Sequence, residues 1–286
     1  MARPRQCGGA EENRAPRPFL KWVGGKRGLL PELEPLLPPG VESMRMVELF
    51  AGGAAMFFAA CNPQAVLCDI NRALIDTYRA VQADVENVIS HLAHLSRRHS
   101  ESHYYLTRDR FNTRRFACDA EAAAAFIYLN KTCFNGLYRV NRKGEFNVPL
   151  GRYERPKILD AEGLRSASDR LQAAELHVRS FDVALEYIRP GDFVYLDSPY
   201  VPRSLTSNFT SYHSAGFARH DHERVRDVFA ELARSGINVM ASNSDTPTVR
   251  ALYRGWGITR VRARRSVGCS AASRAVVNEV VIRSYA

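Results

Sequence analysis

The amino-acid sequence predicts a doubly wound α/β sheet interrupted by one inserted, mainly helical domain, and three observations carry that prediction. A continuous apolar run, Met46 to Phe50, passes at once into Ala51-Gly52-Gly53-Ala54 and then into the alanine-rich stretch Ala55 to Cys61. That is the pattern of a buried strand, a tight turn and a helix. A second buried strand stands at Phe193-Val194-Tyr195-Leu196-Asp197, whereas from about Val85 to Tyr187 the pattern is helical and holds no long hydrophobic strand.

Taken in order, the first seventeen residues are rich in Pro, Gly, Arg and Glu without periodic apolar positions and read as a disordered leader. After the first strand and helix, Ala65 to Cys68 forms a strand ending at Asp69, and Leu74, Ile75, Tyr78 and Val81 have helical spacing. This makes a β-α-β-α unit. The insertion carries a dense basic and aromatic segment, Lys131 to Arg155. Beyond Asp197 come a helix around His222 to Arg234, a strand Ile237 to Ala241, and two β-rich runs, Gly257 to Val267 and Val276 to Tyr285. The expected organisation is one domain from residues 18–84 and 180–286, with a second made of residues 85–179.

A chain of 286 residues with 45% hydrophobic content can build one substantial core and a smaller satellite. No apolar run is long enough for a membrane span and no signal peptide is recognisable, so a cytoplasmic protein is expected. The six cysteines are scattered without a C-x-x-C pair, and His213, His220 and His222 match no common ligand spacing. Neither a disulfide framework nor a metal site is expected. The net charge of +10 suits a partner rich in phosphates, although many basic proteins bind no nucleic acid. The basic run Arg260 to Arg265 reads as a strand with an exposed charged face.

Two segments carry candidate chemistry. The turn Phe50-Ala51-Gly52-Gly53-Ala54 lets backbone approach a nucleotide-like ligand at a helix start, and Asp69 ends the next strand about where such folds place a carboxylate on a ribose. A plain strand-to-helix turn with a solvated Asp accounts for these residues equally well. Asp197-Ser198-Pro199-Tyr200 lies at the carboxyl end of a buried strand, the edge where open α/β sheets bind ligands. There, a carboxylate and a backbone carbonyl can accept the two N–H bonds of an exocyclic amine while Tyr200 stacks on its ring. Taken alone, such a tetrapeptide is more often an ordinary Pro-containing turn than an active site.

Phe19-Leu20-Lys21-Trp22-Val23-Gly24-Gly25-Lys26, Glu48-Leu49-Phe50-Ala51-Gly52-Gly53, Asp69-Ile70-Asn71 and Asp197 to Tyr200, in that order, closely resemble the Dam-type adenine-N6 DNA methyltransferases. Further segments extend the resemblance over nearly the whole chain from Phe19: Asn130 to Arg139, Gly144 to Pro149 with Gly151-Arg152-Tyr153, Asn208-Phe209-Thr210 with Tyr212-His213, and Ser242 to Thr246.

The resemblance implies a Rossmann-like S-adenosylmethionine-dependent sheet and a recognition domain with a β-hairpin at about 133–153. It implies transfer of a methyl group from S-adenosylmethionine, without a metal, to an adenine flipped out of duplex DNA in a GATC-like site, and leaves monomer or dimer open. Carried over residue by residue, Trp22, Lys26, Phe50, Gly52, Asp69 and Asp197 are cofactor-side positions. Asp197, Ser198, Pro199 and Tyr200 form the catalytic set. Lys21, Phe134, Asn135, Leu137, Arg139, Asn147, Pro149 and Tyr153 face DNA, with Lys21 and Arg139 suited to guanine and Phe134 placed to wedge into the base stack. Arg108, Arg110, Arg114, Arg115, Lys131, Arg142 and Lys143 are expected to neutralise phosphates.

Two positions depart from the family pattern: Ser198 replaces the first of two prolines, and Gly53-Ala54 stands where Ala-Gly is commoner. Ser198 keeps the required carbonyl but forgoes the fixed φ of proline, so an active but slower enzyme is expected. The alternative is a catalytically weak relative that regulates by binding DNA.

Overall fold

The computed structural model describes residues 16–60, 62–202, 217–264 and 276–286. Most of the leader, the stretch from Asn208 to His213 and the end of the run to Val267 lie outside the described residues. By packing, the described chain falls into two compact units. One gathers residues 16–25, 52–60 and 71–176; the other gathers 26–51, 62–70, 177–202, 217–264 and 276–286.

In chain order, α1 (Leu30–Leu33) precedes β1 (Met46–Glu48), α2 (Ala55–Ala59), β2 (Ala65–Asp69) and α3 (Arg72–Ala83). Then come α4 (Val85–Arg97), α5 (Glu101–Asn112), α6 (Asp119–Thr132), α7 (Ala161–Leu171) and β3 (Ala174–Val178). The chain ends with β4 (Phe193–Leu196), α8 (Arg219–Arg234), β5 (Asn238–Ser244), α9 (Pro247–Leu252), β6 (Gly257–Arg264) and β7 (Val276–Arg283).

The strands make one mixed sheet in the order β3-β2-β1-β4-β5-β7-β6. β1 runs parallel to β2 and β4, and β4 runs parallel to β5. β7 enters antiparallel between β5 and β6. In the second unit, Val47, Val66, Val194, Val239 and Ile282 pack with Phe229 of α8 in one apolar core. β1 is shorter than the run Met46 to Phe50 because the chain bends away after Glu48. One ladder-like bond persists beyond the strand, from the Ala51 N–H to the Cys68 carbonyl at 2.9 Å.

Two further differences from the sequence reading have physical causes. β3 lies at the sheet edge, so its burial alternates and its sequence, Ala-Glu-Leu-His-Val, lacks a continuous apolar run. β5 extends past Ala241 through Ser242-Asn243-Ser244, all buried. Polar residues persist there because each side chain has a specific hydrogen-bond partner.

The helical unit is built around α6, which is buried on nearly every face. Its alanines let α3, α4 and α5 pack closely against it. Asn71, Asp84 and Ser100 cap α3, α4 and α5 by accepting backbone N–H groups. After α6 the chain doubles back over residues 133–151, with antiparallel bridges at Cys133↔Leu150 and Val140↔Phe146. These bridges stand in place of two continuous strands. A 3-10 turn, Phe134–Gly136, and Pro149, which has no N–H, interrupt the ladder. Both Asn112 side-chain groups bond the backbone of Phe146, and the Tyr104 hydroxyl donates to the Val148 carbonyl, fixing the hairpin on α5.

Candidate active site

Asp197 directly follows β4, whose four residues are all buried. Its Oδ1 receives the Lys26 ammonium at 2.7 Å and the Ser242 hydroxyl at 2.8 Å. Lys26 is only 5% exposed. Its charge is compensated by a carboxylate that retains 20% exposure, enough for a ligand to reach. The Lys26 nitrogen also lies 4.7 Å from the centre of the Tyr200 ring, in cation–π range.

Tyr200 donates its hydroxyl to Glu279 Oε2 at 2.7 Å, and the Tyr195 hydroxyl lies 3.0 Å from Ser242 Oγ. Burial pushes both tyrosines far above the usual phenol range, and the negative charge of Asp197 pushes them in the same direction. Both hydroxyls therefore stay protonated and act as donors. Ser198 is buried, and Pro199 and Tyr200 are half-buried.

Phe50 stacks on Phe181, with ring centres 5.2 Å apart and planes at 27°, and meets Phe217 edge-on. Phe217 in turn lies against His222, which burial shifts toward its neutral form. Asp69 is half-buried at the end of β2, where its carbonyl accepts the Arg179 N–H. Next to Phe181, Asp182 accepts the Ser180 hydroxyl and pairs with Arg224.

In the helical unit, Trp22 covers the glycine turn. A β-carbon at residue 52 would lie 2.8 Å from the indole Cδ1 and Nε1, and one at residue 53 would lie 3.2 Å from the Trp22 Cβ. Gly52 has φ +47°, and Ala54 also has positive φ, at 50°. The commoner Gly at position 54 would fit that conformation without strain. Trp22 also stacks on Tyr138, with ring centres 5.9 Å apart.

Lys21 exchanges two 2.8 Å hydrogen bonds with the Asn130 amide, and its ammonium donates to the Lys131 carbonyl. That ammonium lies 4.0 Å from the centre of the Tyr153 ring. Gly136, at φ +62°, makes room for Lys21, since a β-carbon there would sit 2.5 Å from the Lys21 Cβ. Arg139 is exposed and braced across the hairpin, its Nε donating to Asn147 Oδ1 at 2.8 Å. Phe134, Pro149 and Tyr153 are exposed, and Asn135 and Leu137 are half-buried.

The basic residues are not equivalent. Arg110 is engaged by Glu121, Arg108 reaches the Val148 carbonyl, and burial together with Lys21 pushes the Lys131 ammonium down to about 8. Arg114, Arg115, Arg142 and Lys143 are exposed. Among the described residues no group of three His, Cys, Asp or Glu side chains could hold a metal, and no helix is long and apolar enough to cross a membrane. His213 lies outside the described residues.

Sequence reasoning gave no role to several of these residues: Tyr138 against Trp22 in the helical unit, and Phe181, Tyr195, Ser242, Asn243 and Glu279 in the other unit. A signal existed for two of them. Ser242 and Asn243 place polarity where a central strand should be apolar.

Residues 22–267 match the family model described as D12 class N6 adenine-specific DNA methyltransferase. The chain belongs to that family. It is an adenine-specific DNA methyltransferase by membership, and the match spans both compact units.

A type II methyltransferase of Lactococcus lactis subsp. cremoris is 40% identical over 273 residues, covering 94% of this chain and 95% of that protein. A type II methyltransferase of Methanocaldococcus jannaschii is 37% identical, covering 94% and 99%. The DNA adenine methylase of Salmonella typhimurium is 34% identical over 269 residues, covering 93% and 94%. In a D12 methyltransferase the substrate is DNA.

Proposed function

We propose that this enzyme transfers the methyl group of S-adenosylmethionine to N6 of an adenine turned out of duplex DNA, in a GATC-like site. The observation that carries the reading is Asp197, a partly exposed carboxylate at the end of a central parallel strand, tied to a buried ammonium and set beside an anchored aromatic ring.

The residues present suit the methyl donor. In one unit Phe50 with Phe181 offers aromatic faces for an adenine and the Asp69 carboxylate suits a ribose diol; in the other, Gly52 and Gly53 leave no side chain between backbone and Trp22. When bound, S-adenosylmethionine supplies an electrophilic methyl group on a sulfonium. In this reading the Asp197 carboxylate and the Ser198 carbonyl accept the two N–H bonds of the adenine amine and turn its lone pair toward that methyl. Tyr200 stacks on the base, with its ring held by Glu279 and Lys26. Alkylated N6 carries a positive charge and sheds one proton, for which the neighbouring carboxylate is the acceptor. Catalysis is then positioning plus preorganised acceptors.

Lys21 and the braced Arg139 are the guanine readers in this reading, and exposed Phe134 is the wedge that offsets the few kcal/mol needed to unstack the base. The test is incubation with labelled S-adenosylmethionine and unmethylated plasmid, digestion to nucleosides, and mapping by sequencing. N6-methyldeoxyadenosine confined to one motif is expected from the wild-type protein. None is expected from Asp197→Ala, which should still bind DNA. Label on another nucleoside, or an active Asp197→Ala enzyme, would overturn the proposal.

A further inference from the structure

We infer that the polar end of β5, Ser242-Asn243-Ser244, is the positioning element of the catalytic tetrapeptide, with Ser242 deciding which oxygen of Asp197 meets the amine. The inference rests on the proposed role of Asp197. β4 and β5 pair in parallel with Leu196 opposite Ala241, so the next step brings Asp197 alongside Ser242. The two-residue period of a strand places Tyr195 on the same face as Asp197. A carboxylate only accepts, so the Ser242 proton points at Asp197 Oδ1, and Ser242 Oγ then accepts from Tyr195, which burial keeps protonated.

Oδ1 thus takes two donors, Ser242 and Lys26, while among the described residues no hydrogen bond reaches Oδ2. Two donors on one oxygen restrain the carboxylate and leave Oδ2 for the substrate. The other two residues hold Val201, the residue after the tetrapeptide: Asn243 Oδ1 accepts the Val201 N–H at 3.0 Å, and the Ser244 hydroxyl donates to the Val201 carbonyl at 2.7 Å. All three side chains are buried, which shields these bonds from much of the bulk water. Ser242 touches no reacting atom in this scheme and acts through Asp197.

The experiment compares wild type with Ser242→Ala, Ser242→Thr and Asp197→Asn, using a GATC-containing duplex and labelled S-adenosylmethionine in single-turnover mode. Removing a hydrogen bond to a charged group is expected to slow methyl transfer in Ser242→Ala by about tenfold or more. Dissociation constants for duplex and cofactor should stay within about twofold, and Ser242→Thr, which restores the hydroxyl, should recover most of the rate. Transfer at the wild-type rate in Ser242→Ala, or equal slowing in both variants at unchanged melting temperature, overturns the inference. If Asp197→Asn is inactive while Ser242→Ala is fully active, this inference alone fails. An active Asp197→Asn enzyme removes the parent reading and this inference with it.

Discussion

Substituting Gly52→Ala tests the glycine turn on two physical grounds at once. The residue sits at φ +47°, where an L side chain costs roughly 1–2 kcal/mol. The loss of chain freedom in the unfolded state returns about 0.4–1 kcal/mol of that. The new methyl group would also lie 2.8 Å from the indole of Trp22, well inside the 3.5–4.0 Å at which carbon atoms rest. The indole also stacks on Tyr138, and disturbing that pair costs about 0.5–1.5 kcal/mol more. The net loss is about 2 kcal/mol, or a fall in melting temperature of roughly 4–8 °C on the 2–4 °C per kcal/mol typical of large domains. Calorimetric titration with S-adenosylmethionine should show affinity reduced about tenfold or more, since the turn and Trp22 move together. Trp22 is one of two tryptophans, so its displacement should also register in fluorescence. Wild-type melting and wild-type cofactor affinity in Gly52→Ala would refute the reasoning.

Ala54→Gly should have the opposite sign on stability: releasing a left-handed alanine is expected to stabilise by up to about 1 kcal/mol, measured by urea unfolding, and a destabilised variant would show that φ +50° carries no strain there. Arg139→Ala should relax selection at one guanine by about 1–3 kcal/mol when methylation rates are compared across single-base variants of the site, and unchanged selectivity would move base reading elsewhere. Ser198→Pro should leave kcat unchanged or raise it, because proline presets the carbonyl direction; a lower kcat in a variant that melts normally would refute the idea of lost preorganisation. Lys131, pushed down to about 8 when folded, binds its proton less tightly than in the unfolded chain, so its burial penalty is full below pH 8 and fades as pH rises toward 10.5. The stability advantage of Lys131→Met over wild type should therefore shrink between pH 7 and pH 9.5, by at most about 2 kcal/mol, and a constant difference would contradict that account.

The parallel centre of the sheet was legible because β1, β2 and β4 are buried on both faces and read as short unbroken apolar runs. β3 escaped because an edge strand of alternating polarity looks like a loop, and β5 was read short because polar residues normally end a buried strand. The antiparallel insertion of β7 between β5 and β6 is a matter of long-range pairing, which no local pattern encodes. The same limit applies to the site. The residue type at Asp197 pointed to chemistry, but its partners Lys26, Ser242 and the Tyr200–Glu279 bond join segments remote in sequence. Family resemblance pointed to Lys26 as a cofactor-side residue, and the structure places its ammonium on Asp197.

Ser198 gains a different meaning once those partners are known. Proline at that position would restrain the tetrapeptide from within, by fixing one backbone angle. Here the restraint comes from outside: the carboxylate is held by Lys26 and Ser242, the ring of Tyr200 by Glu279, and the residue after it by Asn243 and Ser244. Each is a contact between a loop and a rigid strand or a buried turn, so the loop can lose an internal constraint without losing its geometry. The two kinds of restraint are separable by a double-mutant cycle. If they are redundant, Ser198→Pro should recover part of the rate lost in Ser242→Ala while changing little in the wild-type background. Strict additivity of the two effects would mean that the proline angle and the β5 contacts act on different steps.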